Sequence, residues 1–255
     1  MNTSTRTNNT TLADSQKPIQ LFGFGPMFGL SDGSPFVLKV ETYLQLAKIP
    51  YCFQPGISNL KKAPKGKLPY IIDGDKTVAD SSVILDYLAT NYRDLDADLS
   101  AKERALSHLI MKFMDEHIYW CGAYARFATD KGWAIACPVL FGDLPKPLQL
   151  IVPSIIRRKI KKKILAQGLG LHDETTVTKI VDDGFSALSE LLGDNTFFLG
   201  KPQPTTIDAV VYGFLLAFST PDMQASYDAI WRRYANLPRY IKSIEAQVSA
   251  NHASC

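Results

Sequence analysis

The sequence predicts an α/β sandwich on a small mixed sheet, followed by an all-helical domain. Three observations carry this. From Ile19 to Tyr92 the patterns run strand, helix, strand, hairpin, helix, a βαβ unit followed by a ββα unit. After Tyr92 no strand pattern returns, and apolar residues recur at helical spacing from about Ala101 to Val248. Between the halves, Arg93 to Ser100 is polar and reads as a linker.

Each element of the first half has a local reason. Ile19 to Phe24 reads as a strand, and a glycine-rich loop, GFGPMFGLSDG, follows it. Ser34-Pro35 then opens a helix, with the serine as N-cap and the proline in the first turn. Val37, Val40, Leu44 and Ala47 form its apolar face, and it stops before Pro50. Tyr51 to Gln54 is a second strand, followed by a connector carrying Lys61, Lys62, Lys65 and Lys67. Tyr70 to Ile72 and Thr77 to Ala79 flank Asp73-Gly74-Asp75, a hairpin signal. Asp80 or Ser81 can cap the next helix, whose apolar face is Ile84, Tyr87, Leu88 and Tyr92.

Leu68-Pro69 stands at the entrance of the third strand. A proline there cannot donate to the ladder, and X-Pro is the bond for which a cis form costs little. A cis bond would turn the Leu68 backbone outward beside Asp80-Ser81-Ser82, making a polar cradle for the amide and carboxylate of a peptide-like ligand. An ordinary edge-strand proline and an ordinary cap account for the same residues. Ser34 is open in the same way: a helix N-terminus stabilises an anion such as a thiolate, and a plain cap also explains a Ser-Pro pair.

In the second half a long helix carries Leu106, Ile110, Phe113, His117, Trp120 and Tyr124 on one stripe. His117, beside Asp115 and Glu116, is a proton-transfer group or a packed histidine. Residues 138–172 are proline-rich and then basic, with six positive charges in the seven positions Arg157 to Lys163 next to the apolar run Leu148 to Val152. Such a run is a solvated helix face or a patch for an anionic membrane or acidic partner. Val177, Val181, Phe185, Leu188 and Leu192 mark a helix closed by Gly193. Thr205-Thr206-Ile207-Asp208 is a capping-box variant that starts a helix apolar on nearly every side, hence central. A last helix is expected from Pro221 to Gln247, broken near Pro238.

Composition narrows the classes. Hydrophobic residues at 46% and charged ones at 21% describe a soluble globular chain. A net charge of +3 does not suit a whole-molecule nucleic-acid field. Four cysteines without paired spacing argue against a disulfide framework or zinc site and for a reducing, cytoplasmic setting. No HExxH accompanies the four histidines, so no metal is expected. Residues 1–18 lack the apolar core of a signal peptide and read as a disordered polar arm. Gly29-Leu30-Ser31-Asp32-Gly33 fits GxSxG, but loop residues precede the serine where a nucleophile elbow needs a strand. Gly23, Gly25 and Gly29 miss the dinucleotide spacing by one.

SPFVLKVETYLQLAKIPY, GKLPYI, VADSSVILDYL, the basic stretch ending AQGLG, and FFLGKPQPTTIDAVVYGFL, in that order, resemble the glutathione transferase superfamily, most of all its metaxin-like, failed axon connections-like branch. The resemblance runs from Ile19 to Val248. It implies a thioredoxin-like glutathione-binding domain (19–92) joined to an all-α helical bundle (101–248), glutathione as co-substrate, and a homodimer. It places Ser34 beside the glutathione sulfur as the catalytic group. It places the Leu68 backbone, before a cis Pro69, against the cysteinyl part, and Asp80 and Ser81 at the γ-glutamyl end. Lys65 or Lys67 would reach the glycyl carboxylate. Phe28, Tyr119 and Tyr124 would line the site of a small hydrophobic electrophile between the domains. Ser34 standing where thiol-exchange members carry cysteine argues against a mixed disulfide with the protein. The loop Gly25 to Gly33 is longer than the pattern and could cover the thiol or block it. Three functions follow: a glutathione-dependent transferase, a glutathione-dependent isomerase or lyase, and a non-catalytic adaptor using Arg157 to Lys163.

Overall fold

The computed structural model describes residues 17–231 and 233–248; most of the N-terminal arm lies outside them. Four strands, β1 (Ile19–Gly23), β2 (Tyr51–Pro55), β3 (Tyr70–Asp73) and β4 (Lys76–Ala79), form one sheet in the order β2-β1-β3-β4. β1 runs parallel to β2 and antiparallel to β3, with Leu21 opposite both Phe53 and Ile71. Gly74, with φ 55°, makes the β3–β4 turn. The mixed sheet is therefore the one expected.

α1 (Pro35–Leu46) and α3 (Ser81–Asn91) belong to this layer; the connector adds α2 (Asn59–Lys62), a single turn that the lysine-rich sequence did not announce. α1 is buried all round from Val37 to Leu46, not on one face. Its far side meets α9 (Thr206–Phe218), where Gly213 comes so close that a Cβ would lie 2.6 Å from the Lys39 nitrogen. The polar residues of α1 thus need partners, since a buried donor or acceptor without one costs about 1–3 kcal/mol. Glu41 accepts from Ser31 and from Tyr51 (3.0 Å), Gln45 donates to Tyr51 (2.9 Å), and Thr42 donates back to the Leu38 carbonyl (2.7 Å).

The second half is built of helices and has no strand among its described residues. α4 (Ala101–Phe113) starts with a capping box of Ser100 and Glu103 and continues through a π-turn (Met114–Ile118), α5 (Tyr119–Ala123) and a second π-turn (Tyr124–Ala128). Each wide turn shifts the phase of the helix. The buried stripe is consequently Ile110, Met114, Ile118, Cys121 and Ala125, while Phe113, His117, Trp120 and Tyr124 sit half-buried at its edge. α6 (Asp130–Phe141) and α7 (Lys146–Gln167) run through Pro138 and Pro153, and α8 (Glu174–Leu192) buries the five expected residues Val177, Val181, Phe185, Leu188 and Leu192. The last helix is two, α10 (Pro221–Trp231) and α11 (Asn236–Val248). Pro238 is in the first turn of α11, where its missing N–H removes no helical bond. Cys52 is disulfide-bonded, contrary to the expectation from spacing; Cys121 and Cys137 are free thiols.

The start of α9 is held by one carboxylate. Asp208 accepts from the Thr205 amide (2.8 Å), the Thr205 hydroxyl (2.9 Å) and the Phe198 amide (2.9 Å), with no exposure to water. Asp208→Ala strands these donors, and we expect a loss of about 3 kcal/mol, read as a lower urea midpoint with an unchanged slope. A loss under about 1 kcal/mol would show that the cap is not structural.

Candidate functional site

Two helices of the first half carry expected site residues at their starts. The first is α1, reached through the Gly25–Gly33 loop. The loop folds on itself: Met27 and Leu30 exchange backbone hydrogen bonds (3.2 and 3.0 Å) around Phe28 and Gly29, whose φ values of 55° and 81° are those of a type I′ turn. Asp32 staples it, accepting from the amides of Phe24 (2.6 Å), Gly25 (2.9 Å) and Ser34 (2.8 Å). Burial raises the Asp32 carboxyl to about 6, against the lowering effect of those amides.

At the N-cap of α1, Asp32 thus holds the backbone of Ser34. Its hydroxyl makes no capping bond, and it is half-buried at the start of α1. A first-turn amide and a hydroxyl are thus available to an anion there.

The second helix start is that of α3. Leu68-Pro69 is cis, and the Leu68 side chain is buried while its residue lies outside the β3 ladder, which begins at Tyr70. Asp80 has φ 92° and caps α3 by accepting from the Ser82 amide (3.1 Å). Here too the acid performs the cap. Ser81 is buried, and its hydroxyl has no hydrogen bond among the described residues. Ser82 instead donates to Asp115 (3.1 Å) from the π-turn of the helical half.

That contact belongs to a buried ion pair between the halves. Lys39 of α1, fully buried, reaches both oxygens of Asp115 (2.7 and 2.9 Å) and stands 3.4 Å from the Ser82 hydroxyl. Burial lowers the Lys39 pKa, opposed by Asp115 and by Asp80. Lys39 is five residues from Ser34, about 7.5 Å along a helix axis. Through Lys39, α1 is tied to the first turn of α3.

The helical half closes over α1 at two further points. Arg126, in the second π-turn, donates to the Gly33 carbonyl (3.2 Å) and to Asp222 (2.5 Å), and its guanidinium lies 4.9 Å from the Phe28 ring centre. Tyr119 packs its ring 4.8 Å from Phe36, two residues after Ser34; burial raises its pKa, and Arg126 opposes the rise. Tyr124 faces the field of Glu174 and Asp173 at the start of α8, which adds to a pKa raised first by burial. The chain thus gathers Phe28, Ser34 and Tyr119 around Phe36 and Arg126, and directs Tyr124 to the bundle. Lys65 and Lys67 are exposed before the cis bond. His117 stacks on Phe113 (5.3 Å), a packing role.

Lys39, Asp115 and Arg126 were not legible as site residues. The one signal was a lysine beside the apolar face of a helix, between Val37 and Val40. Arg126 lies beyond a π-turn, where helical spacing no longer reports which face a residue occupies.

A thioredoxin-like layer with a cis-proline before its third strand, packed on an all-helical bundle, defines the architectural class. Sequence comparison agrees with it. The glutathione S-transferase N-terminal domain family matches residues 35–132, and the glutathione S-transferase C-terminal domain family matches residues 181–244. The chain is 33% identical to the isoprene-epoxide–glutathione S-transferase of Rhodococcus over 90% of its own length and 98% of that protein's. It is 30% identical to failed axon connections of Drosophila melanogaster, covering 77% of this chain and 49% of that one, and 26% identical to human metaxin-2, covering 87% and 84%. Among solved structures, a beta-etherase from Sphingobium superposes with a TM-score of 0.61 at 17% identity over 92% of this chain and 98% of that one. A rice glutathione transferase in complex with glutathione gives 0.61 at 14% identity over 94% and 93%. The chain belongs to the glutathione transferase superfamily, with relatives in its metaxin-like branch.

Two outcomes test this geometry. Asp115→Ala leaves the Lys39 charge buried and unpaired, so we expect a loss of about 3–5 kcal/mol; Lys39→Met with Asp115→Leu should recover most of it. A double variant as unstable as the single one would refute the pair's isolation. For Asp32, the folded pKa lies above the unfolded one, so its contribution to stability is complete at low pH and is lost as pH rises from about 4 through about 6. The stability margin of the parent over Asp32→Asn should therefore shrink by about 2 kcal/mol between pH 4 and 7. A margin independent of pH in urea titrations would contradict this.

Proposed function

We propose that the chain is a glutathione-dependent transferase acting on a small hydrophobic electrophile. The observation that carries this reading is that two serines, Ser34 and Ser81, each stand at a helix start with hydroxyls that make no capping bond, the α3 cap being made by Asp80. Capping is what such serines ordinarily do. Their freedom favours a ligand.

In this reading the glutathione thiolate lies at the start of α1. The Ser34 hydroxyl donates to the sulfur, and the positive end of the helix adds to the stabilisation. The Leu68 backbone, turned by the cis bond, pairs with the cysteinyl amide. Ser81 and the start of α3 receive the γ-glutamyl carboxylate, Asp80 receives its ammonium group, and Lys67 or Lys65 receives the glycyl carboxylate. Phe28 and Tyr119 border the electrophile, and Tyr124 would join them only by leaving the neighbourhood of Asp173. The thiolate attacks an electrophilic carbon: the C–S bond forms, and the leaving group departs with the electron pair of the bond that breaks. An epoxide, the electrophile in the Rhodococcus relative's name, fits this scheme, its opened oxygen taking a proton. A homodimer completes the reading.

A hydroxyl bonded to a thiolate contributes about 1.5–3 kcal/mol, one or two pKa units. Calorimetry should therefore detect glutathione at millimolar concentration. Ultraviolet titration of the bound thiol should give a pKa about one or two units below that of the Ser34→Ala complex, with the variant's thermal midpoint unchanged. Ser81→Ala should weaken binding about tenfold without moving the thiol pKa. No heat with glutathione removes the transferase and isomerase readings and leaves the adaptor; binding with equal thiol pKa in parent and Ser34→Ala removes Ser34 from the chemistry.

A further inference from the structure

We infer that α7 is a docking surface for an anionic lipid membrane. Residues 131–171 hold eight lysines and arginines against one aspartate, a surplus of seven in a chain whose total is +3. The rest of the molecule is therefore net negative, and the positive charge is concentrated on the α6–α7 hairpin. Most of this hairpin falls between the two family-domain matches, which end at residue 132 and resume at 181. It is remote in sequence from Ser34 and Pro69.

One cation of the run is committed to the fold. Arg157 donates to the carbonyls of Phe127 (2.9 Å), Ala128 (3.3 Å) and Thr129 (3.1 Å), pairs with Asp130 (2.8 Å), and covers the Trp133 ring at 5.1 Å. It pins α7 to the end of the long helix. Arg158, Lys159, Lys161, Lys162 and Lys163 are all exposed, with no ion pair among the described residues. Beside them opens a cavity of about 570 Å³ lined by Trp133, Ser154, Arg158, Lys161, Lys162 and Leu165.

The same exposed face changes character along the helix. Ile151, Ile155, Arg158 and Lys162 follow one another at spacings of four, three and four, one line along a helix surface. Ile151 and Ile155 are 59% and 58% exposed, and Leu150 is 82% exposed beside them. An aliphatic band continuing into unpaired cations matches a bilayer surface, where an apolar layer lies directly under phosphate and carboxylate groups. Nucleic acid would meet the cations but gives the isoleucines nothing to bury against. No described helix is long and apolar enough to cross a membrane, so the contact is peripheral.

The test is sedimentation of the full chain with phosphatidylcholine vesicles with and without phosphatidylserine. We expect binding only to the anionic vesicles, weakening as salt rises. Arg158→Glu/Lys161→Glu/Lys162→Glu should weaken it by at least about a hundredfold, near a factor of five per basic group at the surface. Ile151→Ser/Ile155→Ser should weaken it about tenfold with the charges intact. Both variants change exposed side chains, and circular dichroism should match the parent. Absence of parental binding to anionic vesicles overturns the proposal. So does an isoleucine variant that binds as the parent does, since the contact would then be one of charge alone, as with nucleic acid or an acidic protein.

Discussion

The structure depends on α1 being a core helix for both halves at once. The sheet packs on one side of it and α9 on the other, and the approach at Gly213 admits no side chain. A helix in that position has no solvent face on which to leave polar residues. Lys39 is therefore buried between layers, and Asp115 must come from the other half to meet it. The pair adds little net stability against two apolar residues of the same size. Its consequence is geometric: it fixes the register of the long helix against α1 and α3, and it fixes Ser82 with them.

That register makes the helix starts useful. At both, an aspartate satisfies the backbone and a serine is spared. Asp32 gathers the loop and the Ser34 amide; Asp80, in a strained positive-φ conformation, caps α3 beside Ser81. Backbone strain in a non-glycine residue costs about 1–3 kcal/mol and persists where the surroundings enforce it. The Gly25–Gly33 loop is folded on its own turn, with Phe28 under Arg126 and Gly33 held from the helical half. Arg126 thus links the residue before Ser34 to Asp222 of α10, so the two domains meet at the place where the ligand is proposed to lie.

The two functional surfaces have opposite construction. Around Ser34 the polar groups are few and held by Asp32 and Arg126, as recognition of a small ligand requires. On α7 the charges are many, solvated and unpaired, and only Arg157 is fixed. A surface that reads an extended charged layer gains nothing from ordering each lysine.

The sequence by itself determined the elements whose causes are local. The Asp-Gly-Asp hairpin, the Ser-Pro start of α1, the five-residue face of α8, the carboxylate at the start of α9 and the proline at the entrance of β3 were all legible, because turn chemistry, capping and periodicity act within a few residues. The family followed from their order. Only the tertiary structure decided what lies across the domain boundary. It buried α1 on every side, paired Lys39 with Asp115, brought Arg126 to Gly33 and turned Tyr124 toward α8. It also moved the core stripe of the long helix onto Met114 and Ile118, since two π-turns reset a phase that spacing takes as constant. Partners distant in the chain are chosen by packing, and no window of sequence contains both members of such a pair.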